Sequence, residues 1–177
     1  MFLKLLLFIV VLIHSTHTFV PHNIQKRFEY KLSFKGPHLV FKDGTIPFWE
    51  HAGAAIASNE QVRITPSIRS QKGRMWCKNQ MPNADWEIEA TLKISGRGRV
   101  GADGMAIWYT DKIGHEGSVF GSNDQWVGLG IFLDSFDNDA QQNNPYISIM
   151  VNDGTKIYDH HRDGKTKIEF LIFVQIE

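Results

Sequence analysis

Apolar and polar residues alternate with a period of two along several short stretches of the chain. The most regular stretch carries apolar side chains at every second position: Trp86, Ile88, Ala90, Leu92 and Ile94. The positions between them hold Glu, Thr and Lys, which favour solvent. Because successive side chains of a strand point to opposite faces, this pattern predicts a β-strand with one buried face.

Two denser apolar runs, residues 105–109 and 127–133, predict strands in the centre of a sheet. Turn-forming residues separate the apolar stretches, among them Gly36-Pro37, Asp43-Gly44, Asn152-Asp153-Gly154 and Asp163-Gly164. No stretch of eleven or more residues carries a helical period. Short strands separated by tight turns predict an all-β fold, an antiparallel β-sandwich or jelly roll.

The first eighteen residues differ in character from the rest. Lys4 provides a positive start, residues 5–13 form an unbroken apolar run of nine, and Thr16 and Thr18 offer small residues near a cleavage point. A transmembrane helix needs about 20 apolar residues, so this run is too short to be an anchor. Residues 1–18 are therefore predicted to be a secretory signal peptide, and no transmembrane segment is predicted.

The charge balance argues against polyanionic partners. The chain has 19 Lys and Arg against 19 Asp and Glu, so it lacks the basic excess typical of proteins that bind nucleic acid or anionic membranes. A single cysteine, Cys77, excludes an internal disulfide. Its place in the apolar segment 75–77 favours a small buried hydrophobe over a reactive or intermolecular thiol.

An acidic loop follows the apolar run 127–133. Residues 134–139 hold three carboxylates and one carboxamide in six positions: Asp134, Asp137, Asn138 and Asp139. Such crowded like charges raise one another's pKa, whereas Ca²⁺ takes six to eight oxygen ligands of this kind. The glycine and glutamate of an EF-hand loop are missing. The loop predicts a calcium site of another type, and a polar surface loop is the alternative.

Two further polar groups extend this pattern. Asp163 is placed to complete a calcium shell begun at Asp134, and His160 would then lie beside the ion. Asp103 stands next to Gly104 at the start of the apolar run 105–109, where its carboxylate is free to accept hydrogen bonds from sugar hydroxyls. A solvated histidine and a turn aspartate are the simpler alternatives.

Several stretches, in order, resemble one known family: RFEYKLSFKGP (27–37), IPFW (46–49), RGRVGADG (97–104) with IWY (107–109), and FLDSFDND (132–139). They resemble the animal L-type lectins, and among these the mannose-specific cargo receptors of the ER–Golgi intermediate compartment. The resemblance runs from about residue 28 to residue 164. It implies a legume-lectin-like, or concanavalin A-like, β-sandwich.

The resemblance also implies a set of site residues. The Ca²⁺ ligands would be Asp134, the Phe136 carbonyl, Asn138 and Asp163, with a possible second site at Asp137, Asp139, Asn143 and Asn144. The mannose contacts would be Ser70, Asp103, Asn138 and His160. In such lectins Ca²⁺ fixes the loop so that Asn138 points at the sugar. The implied partners are high-mannose glycans on secretory glycoproteins and a calcium-binding co-receptor, in the lumen of the ER, intermediate compartment and Golgi.

The likeness ends at Gly164. Family members continue with further strands, whereas residues 165–177 form a divergent apolar tail whose stretch 168–174 could be a final strand. The expectation is an incomplete lectin-like domain over residues 19–164, truncated at its C-terminus. The resemblance implies a membrane anchor in full-length relatives, and no such anchor is predicted within these 177 residues.

Two other functions remain as alternatives. Glu87 and Glu89 lie on one face of the predicted strand, and a jelly-roll glycoside hydrolase needs two carboxyl groups about 5 Å apart. Their regular alternation with apolar residues is typical of the solvent side of a strand, so the chain is predicted not to be an enzyme. The second alternative is an adaptor of the secretory pathway that binds protein rather than sugar.

Overall fold

The computed structural model of the chain describes residues 5–8, 25–34, 40–96, 98, 101–162, 164 and 173–176. These residues form ten β-strands and two single-turn 3-10 helices, at Tyr30–Leu32 and His160–Arg162. The strands are β1 (Leu5–Phe8), β2 (Trp49–Gly53), β3 (Ile56–Ala57), β4 (Val62–Arg63), β5 (Gly73–Cys77), β6 (Gly104–Thr110), β7 (Glu116–Val119), β8 (Val127–Asp134), β9 (Tyr146–Asp153) and β10 (Phe173–Ile176). The predicted all-β class is confirmed.

The largest sheet has the strand order β6-β8-β9, and both pairings are antiparallel. The two dense apolar runs form β6 and β8, as predicted. Only β8 is central, because β6 lies at the edge of the described sheet. Asp134, the last residue of β8, lies opposite Gly104 of β6 and Tyr146 of β9. The acidic loop therefore leaves the sheet where β6 and β9 begin.

Two smaller antiparallel pairs precede this sheet, β2 with β5 and β3 with β4. Cys77 ends β5 opposite Trp49, and its thiol is half-buried. Its sulfur lies 3.4 Å from the Lys31 carbonyl oxygen and accepts the Asn79 amide at 3.5 Å. The predicted β position of Cys77 is confirmed, but its burial is only partial.

The core lies against one face of the three-stranded sheet. Alternation along β8 and β9 places Phe132 and Met150 on this face, where they are 0% and 1% exposed. Trp126, Val119 and Tyr158 complete the buried cluster. Aromatic rings contact one another in this cluster, for example Trp126 edge-on to Phe132 with ring centroids 5.7 Å apart. Burial of such large rings stabilises the sheet near the end of β8.

The predicted strand over residues 86–94 is wrong for the described structure, because this segment forms no strand. Trp86 packs on Tyr109 of the edge strand β6, with ring centroids 4.7 Å apart. No described strand pairs with it through the backbone, and Ile94 is 52% exposed. Alternation supplies an apolar face, but a strand also requires a hydrogen-bonding neighbour.

The two ends of the chain pair with each other, β1 antiparallel to β10, with Leu5 opposite Ile176. This pairing joins part of the predicted signal peptide to part of the predicted tail. Most of residues 1–24 and 165–172 lie outside the described structure, so both assignments stay predictions. Within the described part of the chain, no helix has the length and apolar character needed to cross a membrane.

Candidate functional site

Three segments that are distant in sequence meet at the end of the sheet where β8 finishes. They are the entry to β6, the loop after β8 and the turn after β9, and β7 with the following residue closes the fourth side. The resulting cleft is open to solvent, and its space amounts to about 300 Å³ when the open solvent at its mouth is included. It is lined by Asp103, Ser118, Phe120, Asp134, Asn138, Tyr158 and His160.

The Asp103 segment is held directly against the end of β8. The Asp103 carbonyl oxygen accepts hydrogen bonds from the Ser135 amide at 2.9 Å and from the Ser135 hydroxyl at 3.1 Å. The peptide bond between Ala102 and Asp103 is cis. Gly104 adopts a positive φ of 149°, and a Cβ atom there would overlap the Leu133 carbonyl oxygen. Only glycine allows the two strands to approach this closely.

The loop after β8 begins with a buried carboxylate, since Asp134 is only 3% exposed. Its Oδ1 accepts the Phe136 amide at 3.0 Å and the Asn144 side-chain amide at 3.1 Å. The same Asn144 nitrogen donates to the Phe136 carbonyl oxygen at 2.9 Å, and the Asn138 amide lies 3.5 Å from that oxygen. Two predicted Ca²⁺ ligands, Asp134 and the Phe136 carbonyl, therefore converge on one point.

The oxygens of this loop fit a hard cation. Asp137 Oδ1 and Asn144 Oδ1 are buried without a hydrogen-bond donor. A half-turn of the Asn144 amide would replace its nitrogen by its oxygen beside Asp134 and the Phe136 carbonyl, giving three converging oxygens of the kind that Ca²⁺ binds. Unsatisfied buried oxygens are costly, and a bound cation would remove that cost.

The contacts of the predicted Ca²⁺ ligands differ from the two sets, one for each ion, that the family resemblance implies. Asn144, predicted for a second Ca²⁺ site, contacts Asp134 and Phe136 of the first. Asp139 accepts the Gln141 amide, and the exposed Asn143 donates to the Gln141 side chain. Asp163 lies outside the described residues. Among those described, no three His, Cys, Asp or Glu side chains are grouped as a metal site.

His160 reaches the cleft on a short turn built around Tyr158. The Tyr158 ring is 3% exposed and packs on Phe120 and Phe132. His160 stacks edge-on against it, with ring centroids 4.9 Å apart, and stays exposed. Gly164 closes the turn by donating its amide to the Asp159 carbonyl at 2.8 Å.

Two residues considered in the sequence do not line the cleft. Ser70 is exposed in the turn before β5, with a positive φ of 58°, and is not part of the lining. The nearby Lys72 donates to the Gly117 carbonyl at 3.0 Å, so this turn contacts the β7 side of the cleft. Glu87, considered as a catalytic carboxylate, is exposed and paired with Lys26.

Sequence reasoning missed three lining residues, Ser118, Phe120 and Tyr158. Phe120 has a positive φ of 44° just after β7, and its ring packs on Phe132 at a centroid distance of 5.3 Å. Ser118 is exposed on the rim. An aromatic residue before Gly121 was the available signal, although nothing in the chain pattern links it to the segments around residues 103 and 138.

Comparison with known proteins shows the family that this chain resembles. The family model described as the legume-like lectin family matches residues 25–169. The chain is 56% identical to the protein ERGIC-53 of Rattus norvegicus over 153 residues, which are 86% of this chain and 29% of that protein. It is 38% identical to the VIP36-like protein of Homo sapiens over 146 residues, 78% of this chain and 42% of that protein.

Solved structures agree with these matches. The VIP36 exoplasmic/lumenal domain in its Ca²⁺/Man3GlcNAc-bound form matches with a TM-score of 0.69 and 37% identity, covering 77% of this chain and 56% of that chain. The metal-free form of the same domain matches with a TM-score of 0.63. The fold is thus legume-lectin-like, as predicted. Because the family model covers residues 25–169, the chain belongs to the legume-like lectin family.

Proposed function

We propose that this chain is the carbohydrate-binding part of a calcium-dependent lectin that binds high-mannose N-glycans on secretory glycoproteins during ER-to-Golgi transport. The cleft carries this proposal, because it brings together Asp103, Asn138 and His160. It also lies beside the loop whose oxygens suit Ca²⁺. The VIP36 domain that shares this fold is described in a Ca²⁺/Man3GlcNAc-bound form.

The cleft has the chemistry that a pyranose requires. Asp103, Asn138 and His160 are exposed on its rim and offer hydrogen-bond acceptors and donors to sugar hydroxyls. Phe120 and Tyr158 supply aromatic surface for the apolar C–H face of the ring. The cleft opens to solvent, so in this proposal one terminal sugar unit occupies it and the rest of the glycan stays outside. Ser70, in the turn before β5, would contact a second sugar unit of the glycan.

Calcium would act by fixing the loop. Asp134, the Phe136 carbonyl, Asn138 and Asp163 would hold one ion, and Asn144 is placed to join them. A second ion would use Asp137, Asp139 and Asn143. When bound, Ca²⁺ would neutralise the buried Asp134 carboxylate and hold Asn138 towards the sugar. The side-chain hydrogen bonds to Asp134 and Phe136 already give the loop part of this shape.

The wider role follows the family resemblance. In this proposal residues 1–18 direct the chain to the secretory pathway, residues 19–164 form the lectin-like domain, and residues 165–177 form a tail. The chain would act in the lumen of the ER, the intermediate compartment and the Golgi. A calcium-binding co-receptor protein is a second proposed partner. The chain spans 29% of the length of the rat ERGIC-53 that it matches. The cargo-receptor role therefore belongs to the proposal for the longer protein of which this chain would be a part.

Titration calorimetry with mannose and a high-mannose glycan tests the proposal. The chain is expected to bind both sugars in Ca²⁺ and neither in excess EDTA. Asp103→Ala should weaken binding at least about tenfold, because hydrogen bonds to charged groups contribute about 1.5–3 kcal/mol. Asn138→Ala should weaken binding by about two- to tenfold, because hydrogen bonds of a neutral amide contribute about 0.5–1.5 kcal/mol.

Matched control variants distinguish the loss of a sugar contact from a general effect of the substitution on the fold. Asp111→Ala and Asn59→Ala remove the same side-chain types from exposed positions outside the cleft, so their affinities should equal that of the wild type. Circular dichroism melts should show that all four variants stay folded. An affinity that is unchanged in Asp103→Ala and Asn138→Ala, or unchanged by EDTA, would refute the proposal.

A further inference from the structure

A carboxylate outside the cleft holds the turn that presents His160. Asp124 lies between β7 and β8, and its side chain accepts the Tyr158 amide at 3.1 Å through Oδ1 and 3.2 Å through Oδ2. Oδ1 also accepts the Gln125 amide at 2.7 Å. One charged group therefore joins two segments that are 34 residues apart in the chain. Hydrogen bonds to an ionised acceptor are roughly twice as strong as neutral ones.

The position of His160 depends on this anchor. Within the described residues its imidazole makes no side-chain hydrogen bond, and its defined contact is the Tyr158 ring, at a centroid distance of 4.9 Å and an interplanar angle of 67°. The Tyr158 ring is itself fixed, since it packs on Phe120 and Phe132. A Cβ atom on Gly164 would lie 2.7 Å from Tyr158 Cζ, so the turn closes tightly over the ring.

We infer that Asp124 is a positioning residue: by holding the Tyr158 backbone it sets where His160 stands in the cleft. The inference rests on the proposed sugar site. Asp124 does not line the cleft and acts only through Tyr158. Loss of the carboxylate releases the Tyr158 backbone amide, so the turn from Tyr158 to His160 can shift while the Tyr158 ring stays packed. A binding group supported in this way loses affinity when its support is removed, typically about 10–100-fold in metal sites.

The test compares Asp124→Ala and Asp124→Asn with Asp153→Asn in the full chain with Ca²⁺. Asp153 is a matched control because it also accepts a backbone amide, from Thr155 at 3.1 Å, but it is exposed and outside the cleft. Three quantities are measured: the NMR shift of the His160 imidazole, the hydrogen-exchange rate of the Tyr158 amide, and the affinity for mannose. Comparison with His160→Gln identifies the His160 signal.

Asp124→Ala is expected to change the NMR chemical shift of the His160 imidazole, because the ring current of Tyr158 acts on it only while the two rings stay in contact. It should also speed exchange of the Tyr158 amide by about tenfold and weaken mannose binding by about tenfold. Asp124→Asn keeps one acceptor oxygen without the charge, so its three values should lie between those of the wild type and Asp124→Ala. Asp153→Asn should match the wild type in all three.

Any other result either overturns the inference or is resolved by a second variant. A wild-type His160 shift in Asp124→Ala, or an equal change in Asp153→Asn, overturns the inference. If Asp124→Ala does not fold, Asp124→Asn decides by the same His160 shift. If the wild type does not bind mannose, the proposed function fails, while the His160 shift and the Tyr158 exchange rate still show whether Asp124 positions the turn.

Discussion

Replacing Gly104 by alanine tests how closely the Asp103 segment must approach β8. A Cβ atom at this position would overlap the Leu133 carbonyl oxygen, lie 2.9 Å from Phe120 Cε1 and lie 3.1 Å from Asp134 Cα. The Leu133 oxygen belongs to the backbone of the central strand and cannot rotate away as a flexible side chain would. The strands would have to separate where the two cleft carboxylates, Asp103 and Asp134, are brought together.

Two costs add in Gly104→Ala. Inserting a methyl group into a close-packed contact costs about 1–3 kcal/mol. Gly104 also has a φ of 149°, and placing an L-residue there costs about 1–3 kcal/mol more. The sum is on the order of 4 kcal/mol. For a domain of this size each kcal/mol lowers Tm by about 2–4 °C, so a fall of about 10 °C is expected.

Gly101→Ala is the matched control, because its Cβ atom would meet only the Ser135 hydroxyl oxygen, at an ordinary 3.6 Å. Thermal unfolding followed by tryptophan fluorescence would compare the two variants, and the five tryptophans provide the signal. Gly101→Ala should melt within about 2 °C of the wild type. Equal melting temperatures for Gly104→Ala and Gly101→Ala would refute the close-approach argument.

Three further predictions concern the core, a surface turn and the thiol. Phe132→Ala should lower the free energy of unfolding by about 3–5 kcal/mol in urea titration, whereas Val127→Ala, at a side chain 43% exposed, should change it little; equal losses would contradict the packing of the core. The Thr155 hydroxyl and amide donate to Asp153 and hold the pKa of its carboxyl below the usual 3.8. The ionised carboxylate therefore adds stability above its unfolded-state pKa, and that stability is lost as pH falls through the lower folded-state pKa. Thr155→Val should raise the Asp153 pKa towards 3.8 in a carboxyl NMR titration, and an unchanged value would show that the hydroxyl has no effect. The half-buried Cys77 thiol should react with a thiol reagent more slowly in the folded chain than in denaturant, and equal rates would exclude its contact with the Lys31 carbonyl.

The sequence predicts the elements whose signal is local. The apolar runs that form β6 and β8 are dense enough to show as strands without knowledge of their neighbours. The stretch from Trp86 to Ile94 has an equally regular pattern, yet it forms no strand, because pairing depends on where other segments lie. Pattern indicates which face could be buried, whereas hydrogen-bonding partners decide whether a strand forms.

The cleft was predictable to a similar extent. Asp103, Asn138 and His160 were assigned from motifs, and the structure brings these three to one place. Phe120 was not predicted, because its role comes from a turn conformation after β7 and from packing on Phe132, neither of which leaves a periodic trace in the sequence. Asp124 was missed for the same reason, since its partner amide lies 34 residues away.

The order of the cleft segments along the chain has a consequence for biosynthesis. Asp103 is made first, the acidic loop follows, and His160 comes last, after all three strands of the main sheet. A nascent chain on the ribosome thus has no complete rim until His160 has emerged, whereas the β6–β8 pairing already has its residues. If the chain binds glycans as proposed, capture by chains stalled at successive lengths would begin only beyond the Tyr158 turn, after synthesis of this region is complete.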